Sequence, residues 1–249
     1  MDDYLQRIGA SRTSSLAELH ERHLLSVPFE NLDTHMDTRI VLEIPWLHDK
    51  IVVRRRGGFC YELNGMFAEL LRDLGHEVDL LAARVYGEGQ RLGPPFDHMA
   101  LLVDGAWLAD VGFGSFSLRP LSWTSREDQK DPGGVFRLAD NGDDVDVFHD
   151  GTPAYRLERR PRELAEFVPT CWWQQTSPES HFRKGPMATR ALPVGRITVT
   201  DKKLVLTENG HRTSTDIEDP AAAFLDYFAI RFEQSHFLQS NASGVLRQL

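Results

Sequence analysis

The first third of the chain carries apolar residues at a helical spacing, and the clearest stretch follows two glycines. One face of this stretch is apolar over three turns, at Leu63, Met66, Phe67, Leu70, Leu71 and Leu74. This spacing predicts an amphipathic helix that begins near Cys60 and ends before Gly75. Weaker helical stripes follow Ser15 and Trp46. The pattern therefore predicts a helical region over residues 1–76.

After residue 76 the pattern changes to short apolar runs separated by turn residues. Two hairpins are indicated, one that turns at Asp104-Gly105 and one that turns at Asn141-Gly142. Successive hairpins with no helix between them predict an antiparallel β-barrel over residues 77–160.

The last third of the chain, residues 161–249, mixes both periods. A helix is predicted from Pro161 to Trp173, followed by a short strand pair and a final helix that opens at Asp219-Pro220. With the helical region and the barrel before it, this pattern predicts an α+β fold built of three regions.

Composition and charge exclude several classes of partner and indicate a compartment, but they do not indicate a reaction. The formal net charge of -9 disfavours a nucleic-acid partner, which would want a basic face. No stretch approaches the about 20 apolar residues of a membrane span, and the acidic N-terminus is not a signal peptide. Cys60 and Cys171 lie far apart without CxxC spacing, which is typical of a reducing compartment rather than a disulfide scaffold or a metal site. We therefore expect a cytoplasmic protein without a bound metal or a membrane partner.

Cys60 is the candidate nucleophile. In the first turn of the predicted helix, free N–H groups and the helix dipole favour a negative charge, so the pKa of the thiol is expected to fall. The alternative is a buried structural cysteine, which is the commoner fate of a lone cysteine. The preceding Gly57-Gly58 favours a functional role, because glycines let a ligand or a second strand approach the backbone closely.

His98 and Asp110 are the candidate partners of Cys60, because a thiolate nucleophile usually needs an imidazole that a carboxylate orients. His98 opens an apolar strand, and Asp110 lies among apolar residues of the next strand. With a two-residue turn the two side chains would project from opposite faces, since faces alternate along a strand. We therefore expect a three-residue loop, Asp104-Gly105-Ala106, or a bulge before Asp110, either of which shifts the register by one.

A charged residue, Arg56, stands inside the compact motif before Cys60. A charge at such a place must be paired or solvated. Glu30, in the loop that follows Pro28, is the expected partner. Arg56 and Glu30 are therefore predicted to have a structural role.

Five short motifs occur in order along nearly the whole chain. They are Val27-Pro28-Phe29-Glu30-Asn31-Leu32-Asp33, Arg55-Arg56-Gly57-Gly58-Phe59-Cys60-Tyr61-Glu62-Leu63-Asn64-Gly65, the isolated His98, Asp110-Val111-Gly112-Phe113-Gly114 and Ser177-Pro178-Glu179-Ser180-His181-Phe182. Together they resemble the arylamine N-acetyltransferases. The Arg-Gly-Gly-aromatic-Cys motif is highly specific, whereas the other four would be weak alone.

The resemblance implies a Cys-His-Asp triad at Cys60, His98 and Asp110. It also implies a cysteine-protease-like core of a helical bundle and a β-barrel, followed by an α/β lid. The implied reaction is ping-pong acyl transfer from acetyl-CoA to the nitrogen of an arylamine, arylhydroxylamine or hydrazine. The residues implied in acceptor binding are Phe29, Phe113, Ser115 and Ser117. Those implied in CoA binding are Trp173, Ser177 and Ser180.

Three other interpretations stay open at this point. Glu179 and His181 stand where some relatives carry CoA-binding hydroxyl residues. This departure keeps in view a branch of the family, the ansamycin amide synthases, which take a polyketide from an acyl carrier protein and close it as a macrolactam. A thiol hydrolase on the same core would instead release the acyl group to water. In a binding module without catalysis, Cys60 would be merely structural.

Overall fold

The N-terminal region is helical, as the apolar pattern predicts. In a computed structural model that describes residues 1–232, this region comprises α1 (Asp2–Ile8), α2 (Leu16–Ser26), the short strand β1 (Phe29–Glu30), α3 (Ile44–His48) with a π-helical turn directly after it (Asp49–Val53), and α4 (Cys60–Asp73). Gly9 ends α1 in the left-handed conformation, and the Ser15 side chain accepts a hydrogen bond from the Glu18 N–H at the start of α2. Because α4 begins at Cys60, the thiol lies in its first turn.

Eight strands form one antiparallel sheet that curls into a nearly closed barrel. They are β2 (Val78–Val85), β3 (His98–Val103), β4 (Trp107–Ala109), β5 (Leu121–Ser122), β6 (Gln129–Asp131), β7 (Gly134–Asn141), β8 (Asp144–His149) and β9 (Thr152–Arg162). Their order is β5-β4-β3-β2-β9-β8-β7-β6, which is two four-stranded meanders joined through β2 and β9. The predicted hairpins and the predicted barrel are confirmed.

A smaller sheet and two helices form the third region. Its elements are α5 (Val168–Thr176), β10 (Met187–Leu192), β11 (Gly195–Thr200), β12 (Lys203–Glu208), β13 (His211–Asp216) and α6 (Pro220–Phe228). The sheet order is β1-β10-β11-β12-β13, so β1 of the N-terminal region supplies an edge strand. Main-chain hydrogen bonds therefore join this lid to the N-terminal region through β1. The α+β class is confirmed.

The helix α4 lies at the centre of the largest apolar core. Its fully buried side chains include Met66, Phe67, Leu70 and Leu71, and they share this core with Met99 and Leu101 of β3. The first residues of α4 and β3, Cys60 and His98, line one cavity. None of the helices within residues 1–232 is long and apolar enough to cross a membrane.

The helix predicted from Pro161 to Trp173 is wrong in its first half. β9 continues through Pro161 to Arg162, and α5 begins only at Val168, after a 3-10 turn. The register between β2 and β9 shifts just beside Pro161, and such an irregularity lets a residue without a backbone N–H lie in a strand. Strand pairing therefore overrides the preference of proline for a helix start.

Candidate active site

The two glycines before Cys60 have no room for a side chain, because Pro28 lies against Gly57 and the Glu62 side chain lies against Gly58. Phe29 of β1 forms a parallel bridge with Gly58, and the Glu30 N–H donates to the Gly58 carbonyl at 2.9 Å. A Cβ at Gly57 would lie 1.9 Å from the Pro28 carbonyl oxygen, far inside contact distance. The predicted close approach is confirmed, and the partner is a strand.

The predicted pair of Arg56 and Glu30 is confirmed and has a third member. Arg56 Nε and Nη2 donate to Glu30 Oε1 at 3.0 and 2.7 Å, and Nη2 also donates to Asp33 Oδ1 at 2.8 Å. Glu30 and Asp33 are almost completely buried, while Arg56 is partly exposed. The guanidinium therefore neutralises carboxylates that could not be buried alone.

Lys50 and Glu62 complete this buried network, and neither was predicted to take part in it. Lys50 Nζ, 1% exposed, lies 2.7 Å from Asp33 Oδ2 and 2.6 Å from Glu62 Oε1. Burial raises the pKa of Glu62 to about 7, although the Lys50 ammonium opposes this shift. The other oxygen, Glu62 Oε2, accepts the Phe59 N–H at 3.1 Å. The network thus caps α4 one residue before Cys60.

The register of β3 and β4 brings His98 and Asp110 to one face. Val103 pairs with Trp107 and Leu101 with Ala109, so Asp104, Gly105 and Ala106 form the loop. Asp104 and Gly105 both have positive φ, at 53° and 62°. The predicted three-residue loop is confirmed. His98 Nε2 consequently lies 2.7 Å from Asp110 Oδ2.

Asp110 is buried but well supplied with hydrogen-bond donors. Its Oδ1 accepts Asn64 Nδ2–H at 2.9 Å and the Gly112 N–H at 3.0 Å. Burial acts to raise the pKa of Asp110, but His98 and these donors outweigh it and hold the pKa below its usual value. Asp110 is therefore a carboxylate, and it fixes Nε2–H as the tautomer of neutral His98.

Asn64 is a residue of this site to which sequence reasoning gave no role. Its Nδ2 also donates to the Met99 carbonyl at 2.6 Å, and its Oδ1 accepts the Val111 N–H at 2.9 Å. Asn64 lies one turn after Cys60 on α4, so helical spacing alone places its amide on the same face as the thiol. That spacing was the available signal.

His20, on α2, is a second residue whose contribution was missed. Its Nε2 accepts the Asp110 backbone N–H at 3.0 Å, and its Nδ1–H donates to the Leu118 carbonyl at 2.9 Å. The ring is fully buried, and burial lowers the pKa of His20, which keeps it neutral as these bonds require. His20 thus holds both ends of the segment 110–118.

Replacing His20 tests this support. His20→Leu leaves a buried N–H and a buried carbonyl unpaired, so it should lower the free energy of unfolding by about 1–3 kcal/mol and reduce acyl transfer. His20→Gln keeps an oxygen able to accept the Asp110 N–H, so it should lose less stability and less acyl-transfer activity. Denaturant unfolding and kcat/KM measure the two effects. Equal losses in both variants would contradict a specific hydrogen-bonding role.

Cys60 and His98 face a largely apolar cavity of about 290 Å³. Its wall consists of Phe29, Asn31, Cys60, Val85, Asp97, His98, Gly112, Phe113, His181, Phe182, Gly185 and Met187. A Cβ at Gly112 would lie 2.7 Å from Cys60 Cα, so the Asp110–Gly114 segment presses directly on the start of α4. The structure therefore brings the predicted nucleophile, imidazole and carboxylate to one place.

The predicted acceptor residues divide into two pairs. Phe29 and Phe113 line the cavity, and the Phe113 ring lies 5.1 Å from the His98 ring in an edge-to-face arrangement. Ser115 and Ser117 do not line it. Ser115 faces a separate cavity of about 510 Å³ against the lid, and Ser117 is buried. The structure therefore does not bring these two serines to the cavity that contains Cys60.

The expectation of a lowered pKa at Cys60 is also wrong in this structure. The thiol is 3% exposed, and burial raises its pKa well above the usual value, with the Asp97 carboxylate acting in the same direction. No hydrogen bond joins Cys60 Sγ to His98 among the residues described. The position at a helix start therefore does not by itself produce a thiolate, and the proton must be given to a base.

The residues predicted to bind CoA lie in different surroundings. Trp173 lines an outer cavity of about 430 Å³ that shares Val85, Asp97 and His181 with the inner one. The Ser177 hydroxyl accepts the Glu179 N–H at 3.2 Å.

Ser180 is fully buried. Its hydroxyl donates to Gln174 Oε1 at 2.6 Å and accepts the Phe182 N–H. The prediction that it contacts CoA is therefore contradicted, because the hydroxyl is enclosed and already bonded.

Cys171 is buried in the apolar core, where burial raises the pKa of its thiol and the Gln175 amide donates to its sulfur at 3.3 Å. This environment is that of an unreactive thiol. Within residues 1–232, no three His, Cys, Asp or Glu side chains are grouped so that they could hold a metal ion.

Comparison with known proteins points to one family. A sequence profile described as N-acetyltransferase matches residues 13–237. The arylamine N-acetyltransferase of Escherichia coli is 33% identical over 248 residues, which is 92% of this chain and 88% of that protein. The Salmonella typhimurium arylamine N-acetyltransferase / N-hydroxyarylamine O-acetyltransferase is 34% identical over 217 residues, which is 84% of this chain and 77% of its own length.

Solved structures give the same result. The arylamine N-acetyltransferase of Mycobacterium marinum matches with a TM-score of 0.83 at 31% identity, covering 93% of this chain and 91% of that one. The same protein in complex with CoA matches with a TM-score of 0.81 at 30% identity, again covering 93% and 91%.

Proposed function

Because this chain belongs to the arylamine N-acetyltransferase family, we propose that it moves an acetyl group from acetyl-CoA, through a thioester on Cys60, to the nitrogen of an arylamine, arylhydroxylamine or hydrazine. The observation that carries the proposal is the position of His98, held by Asp110 at 2.7 Å on the wall of the cavity that also contains Cys60. Cys60 is then the nucleophile, His98 the base, and Asp110 the carboxylate that orients the imidazole.

The first half-reaction acylates Cys60. With Nε2–H bonded to Asp110, the Nδ1 lone pair of His98 is the base that takes the thiol proton. The thiolate attacks the thioester carbonyl, and collapse of the tetrahedral intermediate expels CoA, whose sulfur takes the proton from the His98 imidazolium. Backbone N–H groups at the start of α4 are suited to stabilise the oxyanion, an effect worth roughly 3 kcal/mol per donor.

The second half-reaction transfers the acetyl group. The amine nitrogen attacks the acetyl carbonyl, His98 removes the proton that the nitrogen must lose, and Cys60 leaves and is reprotonated by the imidazolium. Aromatic walls, mainly Phe29, Phe113 and Phe182, surround the site and suit a flat acceptor. They also limit access of water to the acyl-enzyme.

Cavity size separates the alternatives. Ligand pockets commonly measure about 300–1,000 Å³, so a cavity of about 290 Å³ favours a small arylamine over a polyketide chain long enough to close a macrolactam. Trp173, on the adjoining cavity, is the remaining candidate for a contact with the CoA chain. Ser177, four residues after Trp173, is proposed as a second contact.

Steady-state kinetics test the proposed function. With acetyl-CoA and 4-aminobenzamide varied together, double-reciprocal plots should give parallel lines, and the N-acetyl product should match the CoA released. A hydrolase would release acetate and CoA at a rate independent of the amine. Cys60→Ala should form no product, whereas Cys171→Ala should keep wild-type rates.

A further inference from the structure

Asp97, the residue before His98, has no role in the mechanism above. It is 8% exposed and lines both the inner cavity that contains Cys60 and the outer cavity that contains Trp173. Val85 and His181 are the other residues common to both cavities. Asp97 therefore stands where a bound molecule passes from the inner cavity to the outer one.

The Asp97 carboxylate is incompletely bonded. Oδ1 accepts Gln174 Nε2–H at 2.7 Å, while Oδ2 receives the Val85 N–H at 3.4 Å, near the limit of a hydrogen bond. No lysine or arginine within residues 1–232 forms an ion pair with it. Because an ionised carboxylate offers about four acceptor sites, this group has capacity left for a donor from a ligand.

The charge of Asp97 is felt at the reacting sulfur. After burial, it is the largest cause that raises the pKa of the Cys60 thiol, ahead of Asp110. Burial raises the pKa of Asp97, and His181 of the lid is the charge that opposes this shift most, but burial in turn lowers the pKa of His181. An acceptor that approaches Cys60 therefore meets a negative group that the protein leaves without a full counter-charge.

We infer that Asp97 makes the acceptor pocket select arylamines and hydrazines that carry a second group, cationic or hydrogen-bond-donating, and disfavour those that carry a carboxylate. This inference rests on the proposed function and specifies its substrate class. An amidinium or an N–H group would give the Asp97 carboxylate a further donor, whereas a carboxylate would face an unpaired like charge.

A structural role of Asp97 can be separated experimentally from its proposed role in acceptor selection. Asp97, Gln174 and Ser180 form a hydrogen-bonded chain that ties the start of β3 to the lid. Asp97→Asn removes the charge but keeps an oxygen that can accept the Gln174 amide, so the chain survives. Asp79→Asn is the matched control, because Asp79 is an exposed aspartate on β2 and its replacement changes the net charge equally.

The test compares three acceptors of one shape, 4-aminobenzamidine, 4-aminobenzamide and 4-aminobenzoate, together with their 3-amino isomers. In the wild type, kcat/KM should be highest for the amidine and lowest for the carboxylate. Asp97→Asn should shift the amidine-to-carboxylate ratio toward the carboxylate by about 10-fold or more, and Asp79→Asn should leave the ratio unchanged. Effects on His98 act on all acceptors and cancel in the ratio.

An unchanged ratio in a folded Asp97→Asn protein would overturn the inference. Inhibition of the wild type by benzamidine and benzoate, neither of which can be acetylated, gives a second reading that needs no variant, and stronger inhibition by benzoate would also overturn it. If none of the amines is acetylated by the wild type, the proposed function fails. The two inhibitors still report whether the cavity prefers a cation.

Discussion

Replacing His98 by alanine should lower kcat/KM for acyl transfer by about 100- to 10,000-fold, the usual contribution of a positioned base. It should also make Cys60 a weaker nucleophile than free cysteine, because burial raises the pKa of this thiol and no base is left to take its proton. The rate of alkylation by iodoacetamide should then rise only above the pKa of an ordinary thiol, about 8.5. Wild-type Cys60 should react faster at pH 7.

Two variants make the alkylation result specific. Cys60→Ala should not react, since the remaining Cys171 is buried and burial raises its pKa. Cys171→Ala should keep the wild-type profile. If wild type and His98→Ala show the same dependence of rate on pH, His98 does not take the thiol proton.

Replacing Lys50 by methionine should lower the free energy of unfolding by about 3–5 kcal/mol, because it removes one partner of a buried ionic network. Asp33 and Glu62 would each lose a contact below 3 Å, and neither carboxylate can turn to solvent. Since Glu62 caps α4 beside Cys60, activity should fall with stability. Urea unfolding followed by fluorescence measures the loss.

Lys202→Met is the control for Lys50→Met, because Lys202 is exposed and forms no ion pair among the residues described. It should change stability by less than about 0.5 kcal/mol. Adding Glu62→Gln to Lys50→Met should recover part of the loss, since an amide needs no counter-charge. A Lys50→Met protein as stable as Lys202→Met would show that the network contributes little.

The alternation of side chains along two neighbouring strands was sufficient to predict that His98 and Asp110 meet. Alternation along β3 and β4 decides which face each residue uses, so the meeting of His98 and Asp110 required a three-residue loop or a bulge before Asp110, and the structure has the loop. The pair of Arg56 and Glu30 was predictable because a charge in a compact motif needs a partner.

The supporting residues depend on tertiary contacts that no local pattern reveals. Lysine is almost never fully buried unless paired, and the partners of Lys50 come from segments brought together only by folding. Ser180 was expected to contact CoA, but it is fully buried and its hydroxyl is bonded to Gln174 of α5. The raised pKa of Cys60 follows from burial of the thiol, and the position at a helix start does not show how deeply the residue is buried.

Intact-protein mass spectrometry after a brief exposure to acetyl-CoA tests the central claim most directly. Wild type and Cys171→Ala should each gain the mass of one acetyl group, and peptide mapping should locate that group on the peptide containing Cys60. An added arylamine should remove the group from the protein, and an equal amount of N-acetyl product should form. Cys60→Ala should gain nothing. Product formation by Cys60→Ala, or an acetyl group mapped to another residue of the active protein, would contradict the account.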